Sequence, residues 1–272
     1  MLFVWNNYQI NFKVWGKGPI PLLAFHGFGQ NLDVFNHFQQ ALSPYFTVYS
    51  FDHFHHGNSK LPKTMSSLDP IPADDYTQMF QDFVKENQLH NYWLMGYSLG
   101  GKSVMHLCKH LQEAPKGIIL LAADGITESG WYGFVSRTQL GEILYKTTMF
   151  RGQFFDMILK TLYKLKFVNN SLHKFVQMNV GSKKKRAQVL FAWKSLANIK
   201  KADVETYKRI KLEKIKCLFI VGKYDQVIDP KMGKIFYSNT GIKPIVWEAG
   251  HDLIKSKFQD KLNELLRSEI TI

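Results

Sequence analysis

Continuous apolar runs alternate with amphipathic segments along most of the chain. Strands buried on both faces are continuous apolar runs, whereas helices place apolar residues three or four positions apart. These patterns predict a hairpin and six further strands, in residues 2–15, 20–25, 46–51, 92–95, 118–122, 217–221 and 245–247. Helical patterns lie between them, at residues 32–42, 75–88, 104–111, 230–237 and 253–266. Together they predict an α/β fold, with a mostly parallel sheet covered by helices on both faces.

The middle of the chain departs from this alternation. Residues 126–214 are helix-like, basic and aromatic, with no clear strand pattern. We expect them to form a helical cap inserted into a discontinuous core of residues 1–125 and 215–272. Within the cap, residues 150–167 mix aromatic, aliphatic and basic side chains, a composition that could rest on a membrane. We expect them instead to cover a crevice at the sheet edge and exclude water from it.

Composition narrows the class of protein. A chain of 272 residues with 45% apolar and 21% charged residues is globular rather than disordered. Its two cysteines, Cys108 and Cys217, lie in apolar segments and are expected to be reduced core thiols. The N-terminus lacks a signal-peptide pattern, and no apolar run is long enough for a membrane span. We therefore expect a cytoplasmic protein without an integral membrane segment.

Residues 96–103, Gly-Tyr-Ser-Leu-Gly-Gly-Lys-Ser, follow a predicted strand and open a helix. They match G-x-S-x-G, the nucleophile elbow, in which a tight turn exposes a serine at a helix N-terminus. Backbone amides there favour the negative charge that develops during attack on a carbonyl. The same residues also match G-x-x-x-x-G-K-[ST], a phosphate-binding loop that would use Lys102.

Other strand ends favour the serine nucleophile. A nucleophilic serine needs a carboxylate and a histidine base, which follow it on later strands of this type of sheet. The next-to-last predicted strand leads to Asp225, and the last leads to His251. Asp124 and Asp229 are competing carboxylates, but Asp225 follows the strand just before the one that leads to His251. A phosphate-binding loop would leave these strand ends unexplained.

These segments resemble α/β-hydrolase-fold serine hydrolases. The chain is similar, over residues 1–125 and 215–272, to compact carboxylesterase-type and C–C-hydrolase-type members. Those members carry an H-G-[FW]-G loop and a G-[YW]-S-L-G-G elbow. The resemblance implies Ser98 as nucleophile, His251 as general base and then acid, and Asp225 as the carboxylate that orients the histidine.

The resemblance also concerns the oxyanion and the substrate. It implies that the backbone amides of Phe28 and Leu99 form an oxyanion hole. His26, Gly27 and Tyr97 adjoin these two loops and are candidates for the substrate pocket. The resemblance implies neither a cofactor nor a metal ion.

One loop departs from the family pattern. Such hydrolases usually carry D-x-x-G-H-G-x-S after an early strand, and residues 52–59 place His55 where a glycine is expected. Two groups of histidines could in principle bind a metal ion: His53, His55 and His56, and His106 with His110. The first group has no clear carboxylate or cysteine to complete tetrahedral spacing, and the second lacks the glutamate of H-E-x-x-H. Structural or solvent-facing roles are therefore favoured.

The implied reaction is hydrolysis of a carboxylic ester or thioester through an acyl-enzyme, with a small molecule as substrate. Hydrolysis of a C–C bond in a diketone-like substrate is the alternative on the same three residues. Two alternatives belong to other classes: a nucleotide-binding protein that uses residues 96–103, and a hydrolase homologue that binds a ligand with slow turnover. The sequence does not indicate whether the protein is a monomer or an oligomer.

The net charge of +13 is unevenly distributed. Residues 125–216 contain 19 Lys and Arg against 6 Asp and Glu, whereas the rest of the chain contains 16 of each. A neutral core argues against a nucleic-acid-binding protein. The basic cap is expected to attract anionic substrates or an anionic surface. The basic run Lys183–Arg186 within it is expected to be a solvated helix face.

Overall fold

A computed structural model of the protein describes residues 1–127, 130–165 and 181–270. Its strands are β1 (Leu2–Trp5), β2 (Tyr8–Gly16), β3 (Ile20–Phe25), β4 (Phe46–Phe51), β5 (Trp93–Tyr97), β6 (Gly117–Leu121), β7 (Lys216–Gly222) and β8 (Ile245–Trp247). They form one sheet in the order β1-β2-β4-β3-β5-β6-β7-β8. β2 pairs antiparallel with β1 and with β4, and the other neighbouring strands are parallel. The predicted α/β fold is confirmed.

The strands form where the sequence has continuous apolar runs. Every residue of β5 and β6 is buried, as expected for central strands covered on both faces. β1 and β2 instead form an edge hairpin around Asn6 and Asn7, which have φ values of 42° and 67°. A two-residue hairpin turn needs this left-handed conformation, and asparagine tolerates it. The predicted hairpin is therefore confirmed.

Helices lie between the strands, with some ends shifted from the prediction. They are α1 (Gln39–Leu42), α2 (Ala73–Glu86), α3 (Leu99–His110), α4 (Gly130–Arg137), α5 (Gln139–Phe150), α6 (Gly152–Lys164), α7 (Lys183–Ser195), α8 (Val204–Leu212), α9 (Lys231–Thr240) and α10 (Gln259–Glu269). Short 3₁₀ helices at Leu32–Phe38 and Ser256–Phe258 precede α1 and α10. α3 begins at Leu99. The pattern predicted a start at residue 104 because the glycine-rich first turn of α3 has no apolar stripe.

The chain divides into two compact units. The first comprises Met1–Pro62, Pro72–Thr127 and Ile199–Ile272, and it holds the whole sheet with α1–α3 and α8–α10. The second comprises Lys63–Ile71 and Glu128–Asn198, and it holds α4–α7. The predicted cap at residues 126–214 overlaps this second unit and stays a prediction.

Residues 199–214 belong to the first unit although their composition resembles that of the cap. Ala202 N–H donates to the Gly125 carbonyl at 2.7 Å. The Asp203 carboxylate caps α8 by accepting from Thr206 N–H at 3.0 Å, and Lys109 of α3 contacts it at 2.5 Å. These contacts tie α8 to the end of β6 and to α3.

Helices α4, α5 and α7 pack together in the second unit. The Tyr132 hydroxyl of α4 donates to the Leu196 carbonyl at 3.1 Å. Glu142 of α5 pairs with Lys146 at 2.6 Å and with Lys194 of α7 at 2.8 Å. The expectation that residues 150–167 cover a crevice stays a prediction, and its last two residues lie outside the described ones.

Two further expectations concern thiols and membrane spans. Cys108 and Cys217 are free, as predicted, and burial raises the pKa of the Cys108 thiol to about 12. Within residues 1–127, 130–165 and 181–270, no helix has both the length and the apolar character needed to cross a bilayer.

Candidate active site

Ser98 forms a single-residue turn between β5 and α3. Its φ of 49° and ψ of −117° are unusual for a residue with a side chain and match the strain of a nucleophile elbow. Two glycines allow the turn to close this tightly. A Cβ at Gly96 would lie 2.6 Å from the Gly100 carbonyl oxygen, and one at Gly100 would lie 2.0 Å from the Phe25 carbonyl oxygen.

The phosphate-binding interpretation of residues 96–103 is wrong. A loop that cradles phosphate needs several residues between strand and helix, whereas Ser98 alone separates β5 from α3. Lys102 and Ser103 already lie within α3 and are buried. The Ser103 hydroxyl accepts a hydrogen bond from the Tyr76 hydroxyl at 2.8 Å, so it does not face a nucleotide-bound metal ion.

Side chains from three strand ends meet at the elbow. His251 Nε2 lies 2.9 Å from Ser98 Oγ, and His251 Nδ1 lies 2.9 Å from Asp225 Oδ2. With its proton on Nδ1, the imidazole donates to the carboxylate and accepts from the serine hydroxyl. The Asp225 and His251 side chains are 1% and 11% exposed, so water competes little for either contact.

Backbone amides fix the orientation of the Asp225 carboxylate. Oδ1 accepts from Val227 N–H at 2.8 Å and from Ile228 N–H at 2.9 Å. Both amides belong to the loop that follows β7, so the sheet positions the carboxylate through its own chain. Oδ2 is left to accept from His251 Nδ1–H.

The two competing carboxylates make other contacts. Asp229 Oδ1 accepts from Lys231 N–H at 2.8 Å and therefore caps the start of α9. Asp124 donates its backbone N–H to the Ser98 carbonyl at 2.8 Å, which supports the elbow from the end of β6. The Asp225 carboxylate is held 2.9 Å from His251 Nδ1.

The loops that hold Phe28 and Leu99 begin at the same level of the sheet. β3 and β5 are adjacent and parallel, and their register pairs Phe25 with Gly96. Phe28 and Leu99 each follow three residues after this pair, with Leu99 as the first residue of α3. No described residue accepts a hydrogen bond from either backbone N–H. The two donors are therefore available to a ligand.

The family follows from this arrangement and from the sequence match. The model of the family described as serine aminopeptidase, S33, matches residues 21–252. That range includes the elbow, both loops with available amides, and the three contacting side chains. The chain belongs to the serine aminopeptidase S33 family. The chain has the α/β-hydrolase fold, as the motifs predicted.

Curated relatives of this S33-family chain match shorter segments. An uncharacterised protein of Mycobacterium tuberculosis is 28% identical over 123 residues, which cover 45% of this chain and 34% of that protein. A putative esterase/lipase of Mycoplasma pneumoniae is 27% identical over 101 residues, or 37% of this chain and 36% of that protein. The chain therefore spans about a third of the length of these relatives.

A solved structure shares the fold over nearly the whole S33-family chain. The enol-lactonase from Burkholderia xenovorans superposes with a TM-score of 0.65 at 16% sequence identity, covering 98% of both chains. At this identity the likeness shows the α/β-hydrolase fold alone.

The three residues predicted to line the substrate pocket are buried in this S33-family chain. His26 is fully buried; its Nδ1–H donates to the Gly27 carbonyl at 2.7 Å, and its Nε2 accepts from His53 N–H at 3.1 Å. Tyr97 is buried against His251, with its hydroxyl donating to the His251 carbonyl at 3.1 Å. Gly27 lies directly against the Tyr97 ring. These contacts position the loops of the site, and the contribution of the three residues to a substrate pocket stays a prediction.

The sequence prediction missed a buried histidine cluster, formed by His26, His53 and His56, beneath the loop that follows β3. Their ring centroids are 4.8 to 6.3 Å apart. His56 Nε2 accepts from Gly29 N–H at 3.1 Å, and His56 Nδ1–H donates to the Phe54 carbonyl at 3.2 Å. The cluster therefore fixes the backbone beside Phe28, whose N–H is one of the two available donors.

Asp52 ties the same loop to the sheet. Its Oδ1 accepts from Leu32 N–H at 2.9 Å, and its Oδ2 accepts from Asn58 N–H at 2.9 Å. His55, which replaces the glycine of the family pattern, adopts the left-handed φ of 65° that the turn requires. The D-x-x-G-H-G-x-S pattern contained the signal for this network, because Asp52 and His56 occupy its aspartate and histidine positions.

Burial keeps the histidine cluster neutral. Desolvation, with repulsion from His56, lowers the pKa of His26 to about 3. Desolvation also lowers the pKa of His53 far below its ordinary value and lowers that of His56. A neutral imidazole both donates and accepts, as these hydrogen bonds require. Among the residues that the structure describes, no three His, Cys, Asp or Glu side chains are grouped to hold a metal ion.

We expect the protein to lose stability as the pH falls from about 7 to about 5. The unfolded chain protonates its histidines near their ordinary pKa of 6.5, whereas the folded cluster stays neutral. The unfolded state then binds more protons, so the free energy of unfolding falls with pH. The expected slope is about 1.4 kcal/mol per pH unit for each histidine held neutral. Urea denaturation at several pH values measures it.

Two substitutions isolate the contribution of burial. His56→Gln keeps an acceptor for Gly29 N–H but removes the titrating group, and it should reduce the slope by about one proton. His37→Gln, at an exposed position, should change the slope less. A free energy of unfolding that is constant between neutral pH and pH 5 would contradict the neutral cluster.

Proposed function

We propose that the protein is a serine hydrolase that cleaves a carboxylic ester or thioester through Ser98, His251 and Asp225. The observation that supports this proposal is the pair of 2.9 Å contacts from Asp225 to His251 and from His251 to Ser98 Oγ. A serine hydroxyl is a weak nucleophile at neutral pH. A histidine that accepts its proton during attack makes it an effective one.

In acylation, Ser98 Oγ attacks the carbonyl carbon while His251 Nε2 takes the hydroxyl proton. The carbonyl oxygen becomes an oxyanion that accepts hydrogen bonds from Phe28 N–H and Leu99 N–H, at the positive end of the α3 dipole. Asp225 stabilises the imidazolium. When the tetrahedral intermediate collapses, the bond to the alcohol or thiol breaks, and the leaving group takes the proton from His251.

In deacylation, the same groups act on water. His251 accepts a proton from a water molecule, whose oxygen attacks the acyl carbon bound to Ser98 Oγ. The second tetrahedral intermediate collapses, Ser98 regains its proton from His251, and a carboxylic acid is released. The three residues thus return to their starting protonation states.

An ester carbonyl as the point of attack is supported by the relatives. The Mycoplasma pneumoniae relative is named a putative esterase/lipase, and the Burkholderia xenovorans structure is that of an enol-lactonase. A lactone is a cyclic ester, so both names concern the same functional group. The anionic character of the substrate, indicated by the charge of residues 125–216, stays a prediction.

A substrate panel tests the proposed function. It contains p-nitrophenyl esters of increasing acyl length, a thioester, a lactone and a vinylogous diketone. We expect turnover of the short p-nitrophenyl ester and loss of that turnover after treatment with phenylmethylsulfonyl fluoride, because the reagent blocks an activated serine. Cleavage of the diketone without any ester would assign the protein to C–C bond hydrolysis instead. Ester hydrolysis that survives complete reaction with the reagent would exclude the serine mechanism.

A further inference from the structure

The apolar face of helix α5, in the second unit, is exposed to solvent. Leu140, Ile143 and Leu144 have the i, i+3, i+4 spacing of one helical face and are 61%, 59% and 47% exposed. A surface helix of a globular protein normally buries such a stripe and exposes its polar residues. Among residues 139–147 of α5, Gly141 and Tyr145 are buried, on the other side of the helix.

The buried side of α5 is held by specific contacts. Gly141 packs so closely on α4 that a Cβ would lie 2.2 Å from a carbonyl oxygen there. The Tyr145 ring lies 6.1 Å from the Trp193 ring of α7, and Glu142 pairs with Lys194 at 2.8 Å. These contacts fix the rotation of α5, so its apolar stripe faces solvent as a consequence of the packing of the unit.

Helix α6 packs against α5 and also exposes an apolar side chain beside basic ones. Met157 is 55% exposed, and the exposed residues Lys160 and Lys164 follow it at i+3 and i+7 on one face. Long lysine stems beside apolar side chains are typical of helices that lie at a membrane interface. The α5–α6 surface is defined here by Leu140, Ile143, Leu144, Met157, Lys160 and Lys164.

Charge indicates what covers this surface. The second unit contains 13 Lys and Arg against 4 Asp and Glu, and one of these acids, Glu142, already contacts two lysines. A second copy of the chain would bring an equally basic unit against it, which electrostatic repulsion disfavours. A nucleic acid would satisfy the charge but leave the leucine and isoleucine side chains in water. An anionic lipid surface satisfies both.

We propose that the α5–α6 surface docks on an anionic lipid bilayer, whereas the sequence alone favoured a crevice-covering role for residues 150–167. Leu140, Ile143 and Leu144 enter the boundary between headgroups and acyl chains, and Lys160 and Lys164 contact lipid phosphates. Each basic residue close to such a surface strengthens binding about fivefold, and the buried apolar area adds to it. Docking does not involve Ser98, so it stands or falls independently of the proposed hydrolysis.

Co-sedimentation of the full chain with lipid vesicles tests the proposal. We expect partitioning into mixed phosphatidylglycerol–phosphatidylcholine vesicles to exceed that into pure phosphatidylcholine vesicles by about tenfold or more. Added salt should weaken it, because the charges act across water. The Ser98→Ala protein should bind the vesicles as the wild type does, which separates docking from hydrolysis.

Two sets of substitutions locate the surface. Leu140→Gln, Ile143→Gln and Leu144→Gln together keep good helix formers on α5 and should weaken partitioning about a hundredfold. Lys160→Ala with Lys164→Ala should weaken it about 25-fold on anionic vesicles. Circular dichroism and thermal unfolding show whether each variant is folded.

A matched control changes exposed apolar residues of the first unit. Val204→Gln with Leu212→Gln, on α8, should leave partitioning within about twofold of the wild type. Three outcomes would overturn the proposal: no preference for anionic vesicles, full binding by the folded triple glutamine variant, or a wild-type dimer that this variant converts to a monomer. The last would assign the surface to a second copy of the chain.

Discussion

A Ser98→Ala protein should hydrolyse p-nitrophenyl acetate with a kcat/KM about 10⁵-fold below that of the wild type. The substitution removes the oxygen that lies 2.9 Å from His251 Nε2, so no acyl-enzyme forms. The residual rate would reflect the available Phe28 and Leu99 amides and the binding of substrate alone. Steady-state kinetics of purified wild-type and variant proteins measure the ratio.

The control for this substitution is Ser238→Ala. Ser238 is exposed on α9, where its hydroxyl donates to the Lys234 carbonyl of the same helix. Its loss should change kcat/KM by less than about twofold. A Ser98→Ala protein that keeps a tenth of the wild-type activity or more would contradict the mechanism, provided contaminating esterase is excluded by a parallel purification.

Asp225→Asn should lower kcat by about 10⁴-fold while KM stays within a few-fold of the wild type. The backbone N–H groups of Val227 and Ile228 need an acceptor oxygen, so the amide nitrogen of the new side chain would face His251. His251 Nδ1 must then accept, which moves the imidazole proton to Nε2. In that tautomer the ring cannot take the proton of Ser98.

Asp229→Asn is the matched control, in the same loop. Asparagine still caps α9 through its side-chain oxygen, so kcat should stay within about twofold of the wild type. Full activity of the Asp225→Asn protein, or a larger loss on Asp124→Asn, would show that another carboxylate orients His251.

The sheet and the three contacting side chains were predictable from sequence for a physical reason. β3 and β4 coincide with the apolar runs at residues 20–25 and 46–51, because inner strands of the sheet have no exposed residue and tolerate few polar ones. In a parallel sheet the carboxyl ends of strands meet at one edge. Residues that follow separate strands, such as Asp225 and His251, are therefore brought together by topology.

Other features depend on tertiary contacts that no local pattern encodes. His26 follows β3 and adjoins the site in sequence, yet its ring turns inward and joins His53 and His56. Whether a polar side chain at a strand end faces a pocket or the interior depends on its hydrogen-bond partners. The predicted start of α3 was also wrong, because the glycines that the tight turn requires leave the first turn of the helix without an apolar stripe.

The C-terminal boundary of the second unit also could not be predicted from the sequence. Residues 199–214 share the basic, helical composition of the preceding segment, and only contacts such as Ala202 N–H with the Gly125 carbonyl assign them to the first unit. The excess of basic residues in residues 125–216 can be counted directly from the sequence. Its meaning for the α5–α6 surface required the observation that Leu140, Ile143 and Leu144 face solvent.

The most direct test of the account is the site at which a fluorophosphonate reacts. The reagent should add once per chain, and peptide mapping by mass spectrometry should place the adduct on Ser98, because its Oγ lies 2.9 Å from His251 Nε2. Loss of esterase activity should follow the fraction modified. An adduct on another residue, or an active protein that does not react, would contradict the assignment of Ser98 as the nucleophile.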